Sequence, residues 1–202
     1  MSGADYRAAH AEAARFRYPD SEVLINRAGL TDQAQLDAFE RAQVARKLRT
    51  LKPLDPTNYT AFKAAHLHLF GDIFDWAGQE RTYTTGRGAA SFARAEFITG
   101  EMEKRFAAIK ADAGLLRPDP DTFAARAAEH IAEVNAIHPF LEGNGRMQRV
   151  LLQAIAHRAG FAIDISTIDQ AAWYAAAAAS FEQQDYAPLT RLIRDNLTND
   201  VS

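Results

Sequence analysis

Twelve residues, His138-Pro-Phe-Leu-Glu-Gly-Asn-Gly-Arg-Met-Gln-Arg149, restrict this chain more than any other stretch. Upstream, Phe123, Ala127, Ile131, Val134 and Ile137 fall on roughly one side of a helix expected over Asp121 to Ile137. Downstream, Val150, Leu151, Leu152 and Ile155 mark a buried helix expected over Arg146 to Ala159 and stopped by Gly160. The loop between them holds an imidazole, a carboxylate, a Gly-Asn-Gly turn and two arginines. Few soluble proteins need all of these in so short a span unless the loop handles phosphates.

The remaining chain reads as helical. Helices are expected over Asp32 to Leu51 with Thr31 as its cap, Asn58 to Phe74, Glu96 to Ala113, Gln170 to Ser180 and Pro188 to Leu197, with a short one over Tyr6 to Arg15. Arg117-Pro-Asp-Pro120 is a turn. Arg81 to Thr85 is β-prone and precedes Gly-Arg-Gly88 and Ser91-Phe92, which predicts one small hairpin. The class is all-α, a helical bundle with one β-hairpin. At 202 residues the chain suffices for one sizeable domain. A net charge of −3 argues against broad nucleic-acid binding, and the absence of cysteine removes disulfides and thiolate metal sites. No apolar run approaches the ~20 residues that span a membrane, and the polar Met1 to Pro19 stretch is unlike a signal peptide. A bacterial cytoplasmic location is expected, with delivery into a host cell left open.

The loop has a definite chemical logic. A helix N-terminus presents unpaired N–H groups and partial positive charge to an anion. Gly143 and Gly145 allow close approach and dihedrals that other residues resist, and Asn144 adds a side-chain amide. Arg146 and Arg149 are neighbours on the first helical turn and form a cationic clamp for phosphate oxygens. Glu142 is awkward in so positive a place unless a divalent cation bridges it to phosphates, as Mg²⁺ does. His138, neutral near its unperturbed pKa of ~6.5, is placed to take a proton from an incoming hydroxyl, an effect worth ~10²–10⁴-fold. The bland alternative is a helix–turn–helix corner with surface arginines and a structural histidine; each element alone favours it, and the set together does not.

On these residues the chain resembles the Fic family, whose signature is His-x-Phe-x-(Asp/Glu)-Gly-Asn-Gly-Arg-x-x-Arg. The likeness extends over about residues 20–197, including Tyr18-Pro-Asp-Ser-Glu-Val-Leu-Ile-Asn26, Phe70-Gly-Asp-Ile-Phe-Asp-Trp-Ala-Gly78 and the hairpin followed by Phe92-Ala93. Residues 1–20 are read as a peripheral segment, 21–197 as the Fic domain and 198–202 as a tail. The resemblance implies transfer of AMP from ATP to a target protein's Tyr, Thr or Ser hydroxyl, with release of pyrophosphate. It makes His138 the general base, Glu142 the Mg²⁺ ligand, Gly143, Asn144 and Gly145 the anion hole, and Arg146 and Arg149 the grip on the distal phosphates. Phe140 anchors the loop in the core. Thr82, Tyr83, Thr84, Thr85, Gly86, Arg87, Gly88 and Phe92 resemble the family's flap, where a target segment docks as an added strand.

Two details refine this expectation. The phosphate-transferring Doc branch has Lys where this chain has Gly145, which favours AMP transfer. The family's inhibitory (Ser/Thr)-x-x-x-Glu-(Gly/Asn) helix has no match, because the one Glu followed by Gly or Asn is Glu142, and Thr99-Gly-Glu-Met-Glu103 continues with Lys104. The resemblance therefore implies a toxin-type module with a small antitoxin that supplies the glutamate in trans to Arg149. It offers a bacterial type II topoisomerase subunit as one target. The alternatives are another transferred group such as UMP, and a non-enzymatic nucleotide- or partner-binding module. Elsewhere, His66, His68 and His157 are read as structural or surface residues, His10 as peripheral and His130 as lacking a partner. Trp76, Trp173, Tyr174 and Phe181 are read as core rather than base pocket, and Asn135 as a hydrogen-bonding support of the loop. Arg87, at the expected flap tip, is either solvated or in contact with a target. The Arg41 to Arg49 charges are read as a solvated face.

Overall fold

The alanine-rich apolar stripe ahead of the loop becomes the central helix of the molecule. The computed structural model describes residues 11–87, 90–116 and 118–198. The helices in chain order are α1 (Gln33–Leu48), α2 (Tyr59–Phe70), α3 (Ile98–Ala111), α4 (Pro120–Ile137), α5 (Asn144–Ala159), α6 (Gln170–Gln183) and α7 (Ala187–Asp195). Helix α4 packs against α3, α5, α6 and α7. Its Phe123, Ala124, Ala127, Ala128, Ile131 and Val134 are buried, and small side chains there let neighbouring helices close to the short end of the usual 8–10 Å separation. Flap residue Gly88, His10, Arg117, the start of the Tyr6 to Arg15 helix and the tail beyond 198 lie outside the described residues.

The all-α class holds, with differences at the ends of elements. The cap of α1 is Asp32, not Thr31: its carboxylate accepts the Gln35 N–H at 2.9 Å, and a carboxylate also complements the helix dipole. Helix α1 stops at Leu48, and Asn58 lies outside α2 as its cap, accepting from Ala61 N–H. Helix α2 ends before Gly71, although the apolar pattern runs on to Phe74. Ile73 and Phe74 remain buried, but in turns rather than helix. The Arg81 to Thr85 stretch is not a strand: the Arg81 N–H donates to Pro139 and its side chain is spent on other carbonyls. The hairpin is displaced to β1 (Gly86–Arg87) and β2 (Ala90–Ser91), with Gly86 opposite Ser91 and Arg87 opposite Ala90. A second antiparallel pair, β3 (Ala162–Ile163) with β4 (Leu197–Thr198), was not expected. Two-residue strands are too short to show alternation in a sequence.

Residues 11–24 are in contact with the rest of the domain. A β-bridge joins Arg17 to Leu24, Ala13 is buried, and Phe16 packs on the core. Thr82 donates to Glu12 at 2.9 Å and the Tyr83 ring lies 6.1 Å from that of Phe16, so residues 11–17 brace the base of the hairpin.

His66 ties α2 to the signature loop. It is wholly buried between the rings of Phe70 and Phe140, at 4.6 and 3.8 Å. Its Nδ1 accepts the Gly78 N–H at 2.8 Å, which puts the proton on Nε2, and Nε2 donates to the Glu142 carbonyl at 3.0 Å. Burial lowers its pKa to about 4, and the same cause dominates at His138, also lowered to about 4. Both rings titrate near ~6.5 once unfolded. As the pH falls from ~6.5 toward 4 the unfolded chain therefore binds protons that the native rings refuse, and stability is lost. Above ~6.5 these two groups contribute no pH dependence. The melting temperature is expected to fall between pH 6.5 and 5, with a shallower slope in His66→Gln; calorimetric melts across that range check it.

Candidate active site

His138 ends α4 in the left-handed region, at φ 54° and ψ 64°, with its N–H on the Val134 carbonyl. This reverses the chain direction and presents the imidazole to a cleft of about 500 Å³. Phe92 stacks on the ring at 3.9 Å and 9°, and Phe181 stacks behind Phe92. Among the described residues His138 Nδ1 is buried without a hydrogen-bond partner, which leaves Nε2 as the nitrogen on the cleft side. Burial first, then the Arg81 and Arg87 charges, lower its pKa, while the Asn135 carbonyl opposes them. The ring is therefore neutral across the physiological range.

Arg81 secures this arrangement. It is 2% exposed, and its guanidinium donates to the carbonyls of His138 at 2.8 Å, Tyr83 at 2.6 Å and Ile137 at 3.0 Å, and to that of Ala93. Two of these carbonyls end α4 and two flank the hairpin, so one side chain fixes flap and loop together. Burial lowers its pKa to about 10, still well above neutrality.

The loop is clamped from within. Phe140 is fully buried against Phe62 and His66. The Asn144 side chain accepts from Phe140 N–H at 3.0 Å and donates to Phe140 carbonyl at 2.8 Å. Its amide group is thus occupied in holding the turn, and what Asn144 offers a ligand is its backbone N–H. Gly143 sits at φ +83°, where an added Cβ would lie 2.4 Å from Phe70 Cζ. Gly145 differs from expectation: it is already within α5, its φ is not positive, and a Cβ there would meet nothing within 4 Å. Glu142 accepts its neighbour's Gly143 N–H at 2.8 Å through Oε1. Arg146 is ion-paired with Glu40 of α1 and lies over the Phe70 ring at 5.6 Å. Arg149 contacts the Gly145 carbonyl at 3.4 Å and, among the described residues, has no carboxylate partner; burial and then the Arg146 charge lower its pKa.

Of the flap residues, Tyr83, Thr85, Gly86 and Phe92 line the cleft. Thr82 is held by Glu12, Thr84 is half-buried, and Arg87 lies over the Tyr174 ring at 5.7 Å. Tyr174 corrects the expected core assignment: it is 46% exposed and lines the cleft, whereas Trp173 beside it is buried. Asn135 does not brace the loop through its side chain; it bonds the Ala177 carbonyl and Gln148, tying α4 to α6 and α5. His130 has a partner after all, Asp112 at 2.8 Å. The roles of Arg81 and Glu40 were missed. Glu40 had a visible signal, since it falls four residues from both Leu36 and Val44 on the buried side of α1.

With this geometry established, comparison with known proteins is direct. The model of the Fic/DOC family matches residues 56–156, and a protein of Sinorhizobium fredii named "Probable protein adenylyltransferase y4lH" is 39% identical over 178 residues, 88% of this chain and 92% of that protein. The chain belongs to the Fic/DOC family. Among solved structures, BepC, a VirB-translocated effector of Bartonella tribocorum with bound AMPPNP, matches with a TM-score of 0.87 at 22% identity, covering 95% of this chain and 100% of that one. A Fic domain of Bartonella quintana with bound ADP gives 0.83 at 25% identity, covering 93% and 96%. The Fic signature therefore sits in a Fic fold, with its loop at the junction of α4 and α5.

The two signature glycines should respond differently to substitution. Gly143→Ala is expected to cost about 2–4 kcal/mol through positive-φ strain and the clash with Phe70. Gly145→Ala is expected to be neutral or to stabilise by up to about 1 kcal/mol. Denaturant unfolding of both variants checks the contrast.

Proposed function

We propose that this chain transfers AMP from ATP to a Tyr, Thr or Ser hydroxyl of a protein target and releases pyrophosphate. The observation that carries this reading is a neutral imidazole with a free cleft-side nitrogen, beside a helix N-terminus that bears two arginines. The relative named as an adenylyltransferase and the structures with bound AMPPNP and ADP support the nucleotide as donor.

In this reading the target oxygen attacks the α-phosphorus of ATP. The hydroxyl proton passes to His138 Nε2 while the other ring proton stays on buried Nδ1. The bond from the α-phosphorus to the bridging oxygen breaks, and pyrophosphate leaves. The amides of Asn144 and Gly145, which precede the first backbone bonds of α5, receive phosphate oxygens together with the loop at Gly143. Arg146 and Arg149 hold the distal phosphates. The open space around Gly145 keeps the approach to these amides clear. Positioning and charge neutralisation account for catalysis of this kind without covalent help from the protein.

The residues also fit a nucleotide-borne Mg²⁺. Among the described residues no group of three or more His, Cys, Asp or Glu side chains gathers to hold a metal by itself. Glu142 supplies one carboxylate whose Oε2 has no partner among the described residues, matching an ion held by one or two carboxylates plus phosphates. When bound, that ion would neutralise phosphate charge.

The flap would hold the target segment beside Thr85 and Gly86. Control by a separate small protein, whose glutamate pairs with Arg149, fits an arginine without a carboxylate partner among the described residues. A type II topoisomerase subunit is retained as a candidate target. No described helix is long and apolar enough to cross a membrane.

Bacterial lysate incubated with the protein, Mg²⁺ and isotopically labelled ATP should yield a labelled AMP adduct, detected by mass spectrometry and lost with His138→Ala. A lysate without adducts, from protein that binds ATP, points to another donor, a non-bacterial target or a bound inhibitor. The acid limb of kcat/KM due to His138 should lie near pH 4 rather than ~6.5; a pH–rate profile on the identified target measures it.

A further inference from the structure

The buried face of α1 contains an expense that the fold does not need. Leu36, Glu40 and Val44 follow one another at four-residue spacing and are all buried, so a carboxylate at 7% exposure occupies a place where an apolar residue would cost nothing. Its ion-pair partner is Arg146, which is 24% exposed at the side chain and lies on the cleft wall. Replacing a buried ion pair by packed apolar residues is often neutral or stabilising. The pair is therefore poorly explained as a source of stability.

The geometry around Arg146 suggests what the pair does. Glu40 accepts from Nη1, and the Phe70 ring lies under the guanidinium carbon at 5.6 Å. No protein acceptor is present for Nε or Nη2 among the described residues, so donors remain for an anion in the cleft. Burial, Glu142 and Asp37 push the Glu40 carboxyl toward protonation, and the Arg146 charge is the main force against them. Glu40 lies outside the residues that the family model matches. Arg149, three residues on, has no comparable support among the described residues.

We propose that Glu40 is a positioning residue that holds Arg146, through Nη1 and against Phe70, in the orientation that receives the phosphates of the nucleotide. This rests on the nucleotide-binding part of the proposed function. The carboxylate does not compete with the phosphate, because a guanidinium carries five N–H donors and the pair uses one side of it. Its function is to keep a long, rotamer-rich side chain from wandering before the nucleotide arrives.

The test is calorimetric titration with ATP and Mg²⁺, together with steady-state AMP transfer. The proteins are wild type, Glu40→Ala, Glu40→Gln, Arg146→Ala and the double variant Glu40→Ala/Arg146→Ala. Glu40→Ala should weaken ATP about tenfold, in Kd and in KM, with kcat changed less than about threefold. Glu40→Gln keeps the shape and an acceptor, so it guards against misfolding and should recover part of the loss. In the Arg146→Ala background the Glu40 change should have no further effect. A structural role alone would lower the melting temperature and the active fraction while leaving KM unchanged, and that result overturns the proposal. ATP affinity that is unchanged or tighter in Glu40→Ala overturns it too, as does an equal loss in the Arg146→Ala background. A wild type that binds ATP with the stated Glu40 dependence but transfers no AMP upholds the proposal and removes the transferase reading. A wild type that transfers AMP with affinity indifferent to Glu40 does the reverse.

Discussion

The site depends on one buried guanidinium. Arg81 bonds four carbonyls drawn from the end of α4 and from both flanks of the hairpin. A helix C-terminus leaves carbonyls unpaired and carries partial negative charge, so a cation there satisfies both demands. Without it, the left-handed turn at His138 would leave those carbonyls facing a closed interior. The same cation helps keep the imidazole neutral. Backbone satisfaction at the end of α4 and the protonation state of His138 are therefore linked through one side chain.

The signature loop is held in layers by different kinds of force. Phe140 is fixed by packing, Asn144 by two hydrogen bonds to the backbone of Phe140, and the Glu142 carbonyl by His66. The Asn144 side chain is thereby spent on the turn itself, while the amides of Asn144 and Gly145 precede the first backbone bonds of α5. The loop is thus held by the protein's own contacts, which suits the proposed transfer, a reaction governed by placement.

Much of this was legible in the sequence because the informative residues are neighbours in the chain. His138, Glu142, Gly143, Arg146 and Arg149 lie within one loop and one helical turn; His138, Glu142 and Arg146 line the cleft, and Gly143 and Arg149 line a small pocket that shares Glu142 and Arg146 with it. The central helix was equally clear, since its apolar stripe runs for several turns. The partners of Arg81, Glu40 and His66 were not, because they lie 57, 106 and 76 residues away, and the apolar spacing around Glu40 marks it only as buried. The β-propensity of Arg81 to Thr85 misled for the same reason: long-range hydrogen bonds to Pro139 and His138 outweigh the local preference. Tyr174 read as core because an aromatic on an alanine-rich helix says nothing about which side is covered.

The two arginines of the motif differ in how much freedom they have left. Arg146 is confined between a carboxylate and an aromatic face, whereas Arg149 touches a single carbonyl at long range. Immobilising a long cationic side chain costs up to ~2 kcal/mol in lost rotamers. For Arg146 that entropy is surrendered when the chain folds; for Arg149 more of it is surrendered when something binds. If the two arginines grip phosphates as proposed, the clamp has one preset jaw and one adaptable jaw, and the adaptable one is where ligands of different shape would be told apart.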